Sequence, residues 1–253
     1  MGRKAKFAIF PGLRPFFYGS TCDIMGLLRR VCMGRVKLVI FDLDGTLADT
    51  LPDIVAALQT VIAKYGLQEE IGELVRRSIG NGARKLMERV YAALGISGEH
   101  LEEDLAEYRA FYAKNSCVDT VLYQNTLPVL KELQRRGIMM AVATMKPRES
   151  THIVLEKLGI LPYFSVVLSA DDMKAPKPDP WSIYECAEKA GVMPKEALMI
   201  GDSMTDVGAG RASGAVSVAV LGGYSGRERM LGSGADYLVE EIGGLLPILD
   251  ELG

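Results

Sequence analysis

The chain has 253 residues, with 29 basic and 32 acidic side chains, a formal net charge of -3 and a hydrophobic share of 49%. Its length suits one α/β domain or a core with a smaller insert, and its composition excludes a disordered chain. The slight acidic excess argues against nucleic acid as a partner, and the lack of any apolar run near ~18 residues argues against a membrane partner.

The first 35 residues differ from the rest of the chain. A short apolar run from Phe7 to Phe10 is interrupted by Pro11 and Gly12 before it reaches the length of roughly 7 to 15 residues that a secretory signal needs. We therefore expect a disordered extension, or a start codon upstream of the true one at Met33. The four cysteines form no C-x-x-C pair, which fits a soluble protein of the reducing cytoplasm.

From residue 36 onward, short apolar segments alternate with longer amphipathic ones, which is typical of a parallel sheet with crossover helices. The predicted strands are Val36 to Phe41, Ile138 to Thr144, Ser165 to Leu168, Ala197 to Ile200, Val216 to Val220 and Ala235 to Val239. The predicted helices are Thr126 to Arg136, Pro147 to Leu158, Pro180 to Ala190 and Met204 to Ala212. A glycine suited to a C-terminal cap follows each helix, namely Gly137, Gly159, Gly191 and Gly214. The pattern predicts an α/β fold with a Rossmann-like, doubly wound parallel sheet.

Residues 51–117 interrupt this alternation with consecutive amphipathic helical patterns and no convincing strand. We interpret them as an inserted helical cap domain, with residues 36–50 and 118–253 forming the catalytic core. Thr50 is placed to cap the first helix of the insert, and Asp53 puts negative charge at the positive end of that helix dipole.

Two carboxylates, Asp42 and Asp44, follow the first strand in the segment FDLDGTLADT. Alternation puts both on one side of the chain, at the edge where a parallel sheet opens its ligand crevice. Two acids this close repel unless a cation or a shared proton compensates, which favours a divalent metal site. Gly45 allows the chain to turn tightly there.

Three later strand ends also carry polar groups. Thr144 supplies a hydroxyl, and the backbone N–H groups of Met145 and Lys146 follow it at the start of a helix, which is a ready anion site. Lys177 lies in a proline-stiffened loop, PKPDP, and the last of the four strand ends carries a second acidic pair, Asp202 with Asp206. Nucleophile, hard cation and positive charge on phosphate oxygens are what phosphoryl transfer requires.

These four segments, in this order, resemble the signature of the haloacid dehalogenase superfamily, over essentially the whole chain from Val36. The resemblance implies that Asp42 is the nucleophile of a phosphatase and Asp44 its general acid and base. A true dehalogenase lacks an acid at the second position, because a departing halide needs no proton. By the same resemblance, Thr144 and Lys177 hold the substrate phosphate.

The resemblance also implies a Mg²⁺ ion bound by Asp202, a carboxylate oxygen of Asp42 and the backbone carbonyl of Asp44. Asp206 matches the second acid of the fourth motif. It either contacts the metal through water or orients Lys177.

Within the superfamily, the insert segment IGNGAR resembles the cap loop of the phosphoglycolate phosphatase group. A loop with Gly80 and Gly82 can approach a small substrate closely, and Asn81 or Arg84 could hydrogen-bond its carboxylate. The alternative is that the two glycines only end one helix and begin the next. Met145 departs from that group, which usually has asparagine there, so the phosphate-binding backbone amide is kept but a polar side chain is lost.

Other functions stay open. A phosphomutase resembling β-phosphoglucomutase would carry the same motifs but return the phosphoryl group to a sugar. Pyrophosphatases and nucleotidases of similar layout are also compatible with the motifs. A non-catalytic binding module is the remote alternative, since such a module would be expected to have lost the nucleophile or a metal ligand. The sequence leaves the oligomeric state open.

Overall fold

The computed structural model describes residues 6–7, 36–67 and 70–253. The expectation of a disordered or misread extension covers residues 1–35, of which 1–5 and 8–35 lie outside the described residues. Between these two ranges, Lys6–Phe7 form a short strand that pairs in parallel with the last strand of the sheet, Tyr237–Val239. No helix of the described ranges combines the length and apolarity needed to cross a membrane.

The main sheet is parallel and has seven strands. Its members are β1 Lys6–Phe7, β2 Leu38–Phe41, β5 Met139–Ala143, β6 Val166–Leu168, β7 Ala197–Gly201, β8 Val216–Val220 and β9 Tyr237–Val239. A separate antiparallel pair is formed by β3 Ala48–Asp49 and β4 Val121–Leu122. The predicted α/β class is confirmed, and the six predicted strands are present with ends shifted by up to two residues.

The helices follow in chain order around this sheet. They are α1 Leu51–Ile62, α2 Gly72–Ser78, α3 Gly82–Leu94, α4 Leu101–Asn115, α5 Thr126–Arg135, α6 Arg148–Lys157, α7 Trp181–Lys189, α8 Met204–Ser213, α9 Arg227–Leu231 and α10 Leu245–Leu252. The four predicted core helices are confirmed as α5 to α8. Each of the four predicted cap glycines adopts a left-handed conformation at a helix end.

The strand order is β1-β9-β8-β7-β2-β5-β6. The chain leaves central β2 in one direction for β5 and β6, then returns on the other side of β2 for β7, β8 and β9, so β2 lies at the topological switch point. Successive residues of β2 enter different buried clusters, with Val39 and Phe41 on one face and Leu38 and Ile40 on the other. Helices therefore cover both faces, and the ligand crevice lies at the carboxyl ends of β5, β2 and β7.

Helices α1 to α4 lie within the segment interpreted as a cap and share their own buried cluster, which includes Leu58, Met87, Val90 and Leu105. The pair β3 and β4 joins this helical unit to the core at both of its chain connections. The boundaries at residues 51 and 117 stay a prediction.

The two connections are also joined through Asp53, in the first turn of α1. Its buried carboxylate accepts hydrogen bonds at 3.0 Å from the backbone N–H groups of Val118, Asp119 and Thr120, and one at 2.6 Å from the Thr120 hydroxyl. A buried carboxylate with four donors is a strong link, because hydrogen bonds to charged groups are stronger than neutral ones. Asp53 thus fixes where the chain leaves the helical unit relative to where it enters.

The expectation that the Thr50 side chain caps α1 is wrong. Thr50 occupies the N-cap position, but its hydroxyl makes no capping hydrogen bond and donates to Asp44 instead, at 2.6 Å. The hydroxyl of Tyr224 takes over, accepting hydrogen bonds from the backbone N–H groups of Thr50 at 2.6 Å and Leu51 at 2.9 Å. A residue of the core therefore caps the first helix of the insert.

Candidate active site

The turn after β2 brings Asp42 and Asp44 to the crevice. Gly45 has a φ of +79°, and a Cβ at this position would lie 2.4 Å from Oδ2 of Asp202. The glycine is thus required both by the backbone conformation and by the close approach of Asp202, the residue that follows β7. The sequence prediction of a tight turn here is confirmed, and the turn brings the two acidic segments together.

Lys177 lies at the centre of the site. Its side chain is 2% exposed, and its Nζ donates hydrogen bonds to Oδ1 of Asp42 at 2.9 Å, to Oδ1 of Asp206 at 2.5 Å and to the backbone carbonyl of Ala143 at 2.8 Å. The three acceptors match the three donors of an ammonium group. Burial alone would lower the pKa of Lys177, but the charges of Asp206 and Asp42 outweigh it and raise the pKa above its ordinary value.

The acidic side chains near Lys177 have strongly perturbed ionisation. Burial raises the pKa of Asp42 to about 7, although the Lys177 ammonium acts in the opposite direction. Burial also raises the pKa of Asp202 well above its ordinary value, with the charges of Asp42 and Asp206 adding to the effect. Perturbed, buried groups that meet in a cleft are typical of functional sites.

One oxygen from each of Asp42, Asp202 and Asp206 lies within 4.8 Å of the others. Asp206 has both oxygens engaged, since Oδ1 accepts from Lys177 and Oδ2 accepts from the backbone N–H and hydroxyl of Ser203. The second oxygens of Asp42 and Asp202 accept no hydrogen bond from the described residues. Buried carboxylate oxygens this close together are the donor set that a hard divalent cation prefers, so this cluster fits a metal ion.

Thr144 and Met145 lie where β5 ends, beside Lys177. Both line the same cavity as Asp42, and the buried Thr144 hydroxyl accepts a hydrogen bond from the backbone N–H of Lys146 at 3.2 Å. The backbone N–H of Met145 donates to no described residue. Of the two free amides that the sequence predicted, only that of Met145 is available to an anion.

The Asp44 side chain has partners that differ from those of Asp42. Its Oδ1 accepts hydrogen bonds from the hydroxyl of Thr50 at 2.6 Å and from Nζ of Lys146 at 2.7 Å. The two acids of the first motif therefore have different surroundings, one beside Lys177 and one beside Lys146. Different environments are how a pair of carboxylates takes on separate chemical roles.

The helical unit contributes one wall of the cavity. Of the four residues that the sequence predicted to contact substrate from the cap loop, two line the cavity and two do not. Gly80 and Gly82 line the cavity. Arg84 instead forms an exposed ion pair with Glu102, and the side chain of Asn81 accepts a hydrogen bond from Arg89 at 2.6 Å. Neither of these two side chains lines the cavity, whose volume is about 60 Å³.

Two residues of the site were missed by sequence reasoning. Tyr224 donates its backbone N–H to Asp202 at 2.5 Å and its hydroxyl to Asp49 at 2.8 Å, and no motif marks it. The Lys146 side chain reaches Asp44, although only its backbone amide had been considered. The signal for Lys146 was its position two residues after Thr144, at the carboxyl end of β5.

The fold and the site define an α/β enzyme of the doubly wound class, with a buried carboxylate, a fixed ammonium group and an acidic cluster at the switch point of a parallel sheet. The sequence model of the haloacid dehalogenase-like hydrolase family matches residues 39–220 of the chain. The chain therefore belongs to the haloacid dehalogenase-like hydrolase family, and it is a phosphatase of that family.

Relatives from several bacteria are similar over most of this chain. A Pseudomonas aeruginosa protein named phosphoglycolate phosphatase 1 is 35% identical over 219 residues, which cover 85% of this chain and 80% of the relative. A Pasteurella multocida phosphoglycolate phosphatase is 33% identical over 86% of this chain and 100% of the relative. The crystal structure of a predicted phosphoglycolate phosphatase from Haemophilus somnus superposes with a TM-score of 0.79 at 29% identity, covering 85% of this chain and 99% of that one.

Proposed function

We propose that the protein is a cytoplasmic, Mg²⁺-dependent phosphatase that hydrolyses small phosphomonoesters, with 2-phosphoglycolate as the preferred substrate, through an aspartyl-phosphate on Asp42. One observation carries the proposal. A buried carboxylate, Asp42, lies beside a fixed ammonium group at 2.9 Å, while a second carboxylate, Asp44, lies in the same cavity with different partners. Nucleophilic displacement on phosphorus followed by hydrolysis requires both groups.

In the proposed first step, the Thr144 hydroxyl and the backbone N–H of Met145 donate hydrogen bonds to the substrate phosphate, and the positive charge of Lys177, 2.9 Å from Asp42, offsets part of its negative charge. A carboxylate oxygen of Asp42 attacks phosphorus as the bond to the ester oxygen breaks, and Asp44 protonates the leaving alkoxide. In the second step, Asp44 takes a proton from water, which attacks the aspartyl-phosphate and releases inorganic phosphate. Asp42 is thereby regenerated.

Asp42 and Asp202 would hold the Mg²⁺ ion, together with the backbone carbonyl of Asp44, as the family resemblance implies. When bound, the ion screens the negative charge of the phosphate so that an anionic nucleophile can approach it. Asp206, whose oxygens are both occupied, holds Lys177 in place rather than the metal. Of the two roles that the sequence allowed for Asp206, we therefore propose the second.

The size of the cavity supports a small substrate. Its volume of about 60 Å³ corresponds to roughly five water positions, since about 10–15 Å³ suffices for one. That space is sufficient for a phosphate with a short substituent. The relatives named phosphoglycolate phosphatase support the same assignment.

We expect phosphate release from 2-phosphoglycolate to exceed that from pyrophosphate, nucleoside monophosphates and sugar phosphates by at least ~10-fold in kcat/KM. The reaction should stop when a chelator removes divalent cations and resume when Mg²⁺ is added. The measurement is a malachite green assay of free phosphate across the panel. A phosphomutase would release phosphate only slowly without a bisphosphate primer, so primer-dependent sugar phosphate isomerisation would contradict the proposal.

We expect Mg²⁺ to bind at least ~10-fold more weakly at pH 6 than at pH 8. The sign follows from the raised pKa of about 7 for Asp42, because protons occupy this carboxyl below pH 7 and must leave before the cation binds. Thermal-shift titrations at the two pH values give the apparent affinities, with NaCl of equal ionic strength as the control. Equal affinities at both pH values would contradict the assignment of Asp42 as a metal ligand.

A further inference from the structure

The cavity contains a second buried cation that the proposed phosphate chemistry leaves without a role. The Lys146 side chain is 2% exposed, and its Nζ lies 2.7 Å from Oδ1 of Asp44 and 4.8 Å from the ring centroid of Tyr112. Burying an ammonium group is unfavourable unless it is paired. Lys177 already supplies the positive charge beside the nucleophile, so the position of Lys146 calls for a separate explanation.

The hydrogen-bonding capacity of Lys146 is incompletely used. An ammonium group carries three donors, and Lys177 satisfies all of its own with protein acceptors. In the described part of the chain, Asp44 is the one hydrogen-bond acceptor of the Lys146 ammonium, with the aromatic face of Tyr112 beside it. At least one donor therefore remains for a ligand in the cavity, which both lysines line.

The rest of the cap-side wall offers no other positive charge. The lining residues contributed by the helical unit are Ile54, Ile79, Gly80, Gly82, Ala83, Leu86, Tyr108 and Tyr112. Arg84, the basic cap-loop candidate from sequence, is paired with Glu102 outside the cavity. Among the cavity-lining residues, only Lys146 and Lys177 are basic, and Lys177 is saturated. A second anionic group on the substrate would therefore meet Lys146.

The position of Lys146 also predicts where that anionic group lies on the substrate. Asp44 is the proposed proton donor to the ester oxygen, and the same Asp44 oxygen is bonded to the Lys146 ammonium. A carboxylate on the carbon attached to the ester oxygen lies only two bonds beyond the atom that Asp44 protonates. It is thus within reach of a lysine that contacts Asp44.

Resting on the proposed phosphatase function, we infer that Lys146 is a specificity-determining residue that binds the substrate carboxylate. The substrate class is then a phosphomonoester with a carboxylate on the ester-bearing carbon, of which 2-phosphoglycolate is the smallest. The apolar and aromatic cap wall excludes water around this ion pair, which strengthens it. Lys146 keeps one N–H on Asp44 while another binds the carboxylate, so recognition and positioning of the acid are linked.

The test compares 2-phosphoglycolate with its neutral amide, phosphoglycolamide, on wild type, Lys146→Met and Lys146→Arg. Lys131→Met, a change of an exposed lysine on α5, is the matched control. For Lys146→Met we expect kcat/KM on 2-phosphoglycolate to fall at least ~100-fold and kcat/KM on the amide to fall by a much smaller factor. The ratio of the two kcat/KM values should therefore decrease by ~10-fold or more. Lys146→Arg should restore part of the discrimination. Equal losses on both substrates would overturn the inference, because they would indicate a role only in positioning Asp44.

A binding measurement separates recognition from catalysis and from misfolding. In the Asp42→Asn background, adding Lys146→Met should weaken 2-phosphoglycolate binding by ~10-fold or more, while inorganic phosphate binding changes less than ~3-fold. Equal weakening of both ligands would contradict carboxylate recognition. If the wild type cleaves the amide as well as 2-phosphoglycolate, the inference about Lys146 fails and the phosphatase function stands. If it cleaves neither, the proposed function fails with it.

Discussion

Replacing Asp42 with asparagine is expected to lower phosphate release by ~10⁴-fold or more, which is typical for loss of a covalent nucleophile. The asparagine oxygen carries no negative charge and is a poor nucleophile towards phosphorus. The substitution keeps the size of the side chain. Its amide oxygen can still accept the hydrogen bond that Lys177 donates to the Asp42 carboxylate at 2.9 Å in the wild type. The loss should therefore appear in the chemical step rather than in folding.

Single-turnover phosphate release and acid-quenched protein mass are the measurements for Asp42→Asn. Wild type should show a protein-bound phosphoryl group during turnover, and the variant should show none. Asp119→Asn is the matched control, because Asp119 is exposed and uses only its backbone N–H in the contact with Asp53. Activity of Asp42→Asn within about tenfold of wild type would show that another group attacks phosphorus.

The core of the fold could be predicted from the sequence because local signals agree with the final structure. Val216 to Val220 is an apolar run that the sheet buries completely, and its predicted limits match the observed strand. Gly159 and Gly191 marked helix ends because their left-handed conformation is difficult for other residues. The two-residue strands β3 and β4 could not be predicted, because their pairing across the insert depends on contacts more than 70 residues apart along the chain.

The candidate site was predictable where a residue's position on a strand end determines its direction. Asp42, Thr144 and Asp202 all follow strands that meet at one edge of the sheet, so their convergence follows from the topology. The cap residues lack this constraint. Arg84 lies on a helix, and its long side chain pairs with Glu102 from another helix instead of entering the cavity.

Long side chains explain the remaining differences between the sequence prediction and the structure. Tyr224 reaches from the core to the first turn of α1 and replaces the expected Thr50 cap, which no local pattern could indicate. Thr50 is then free to donate to Asp44. Asp44 also accepts a hydrogen bond from the Lys146 ammonium. Asp44 therefore links the cavity to the chain segment that leads into the helical unit.

Asp44→Asn is expected to slow the first chemical step only for substrates whose leaving group needs a proton. With 2-phosphoglycolate, kcat should fall by ~10²–10⁴-fold, because the departing alkoxide needs the proton that Asp44 supplies. With acetyl phosphate, the first step should be nearly unaffected, because acetate is a weak base that departs without a proton. The asparagine oxygen still accepts from Thr50 and Lys146, so the surrounding contacts at 2.6 and 2.7 Å can persist.

The second step still requires a base, and asparagine cannot provide one. The variant should therefore accumulate aspartyl-phosphate from acetyl phosphate, visible as a burst of acetate and as added protein mass after acid quench, but not from 2-phosphoglycolate. Asp119→Asn, treated in the same way, should behave like wild type. Equal slowing of the first step with both substrates would show that Asp44 acts only by shaping the cavity. If aspartyl-phosphate accumulates from acetyl phosphate but not from 2-phosphoglycolate, Asp44 must donate a proton in the first step and accept one in the second.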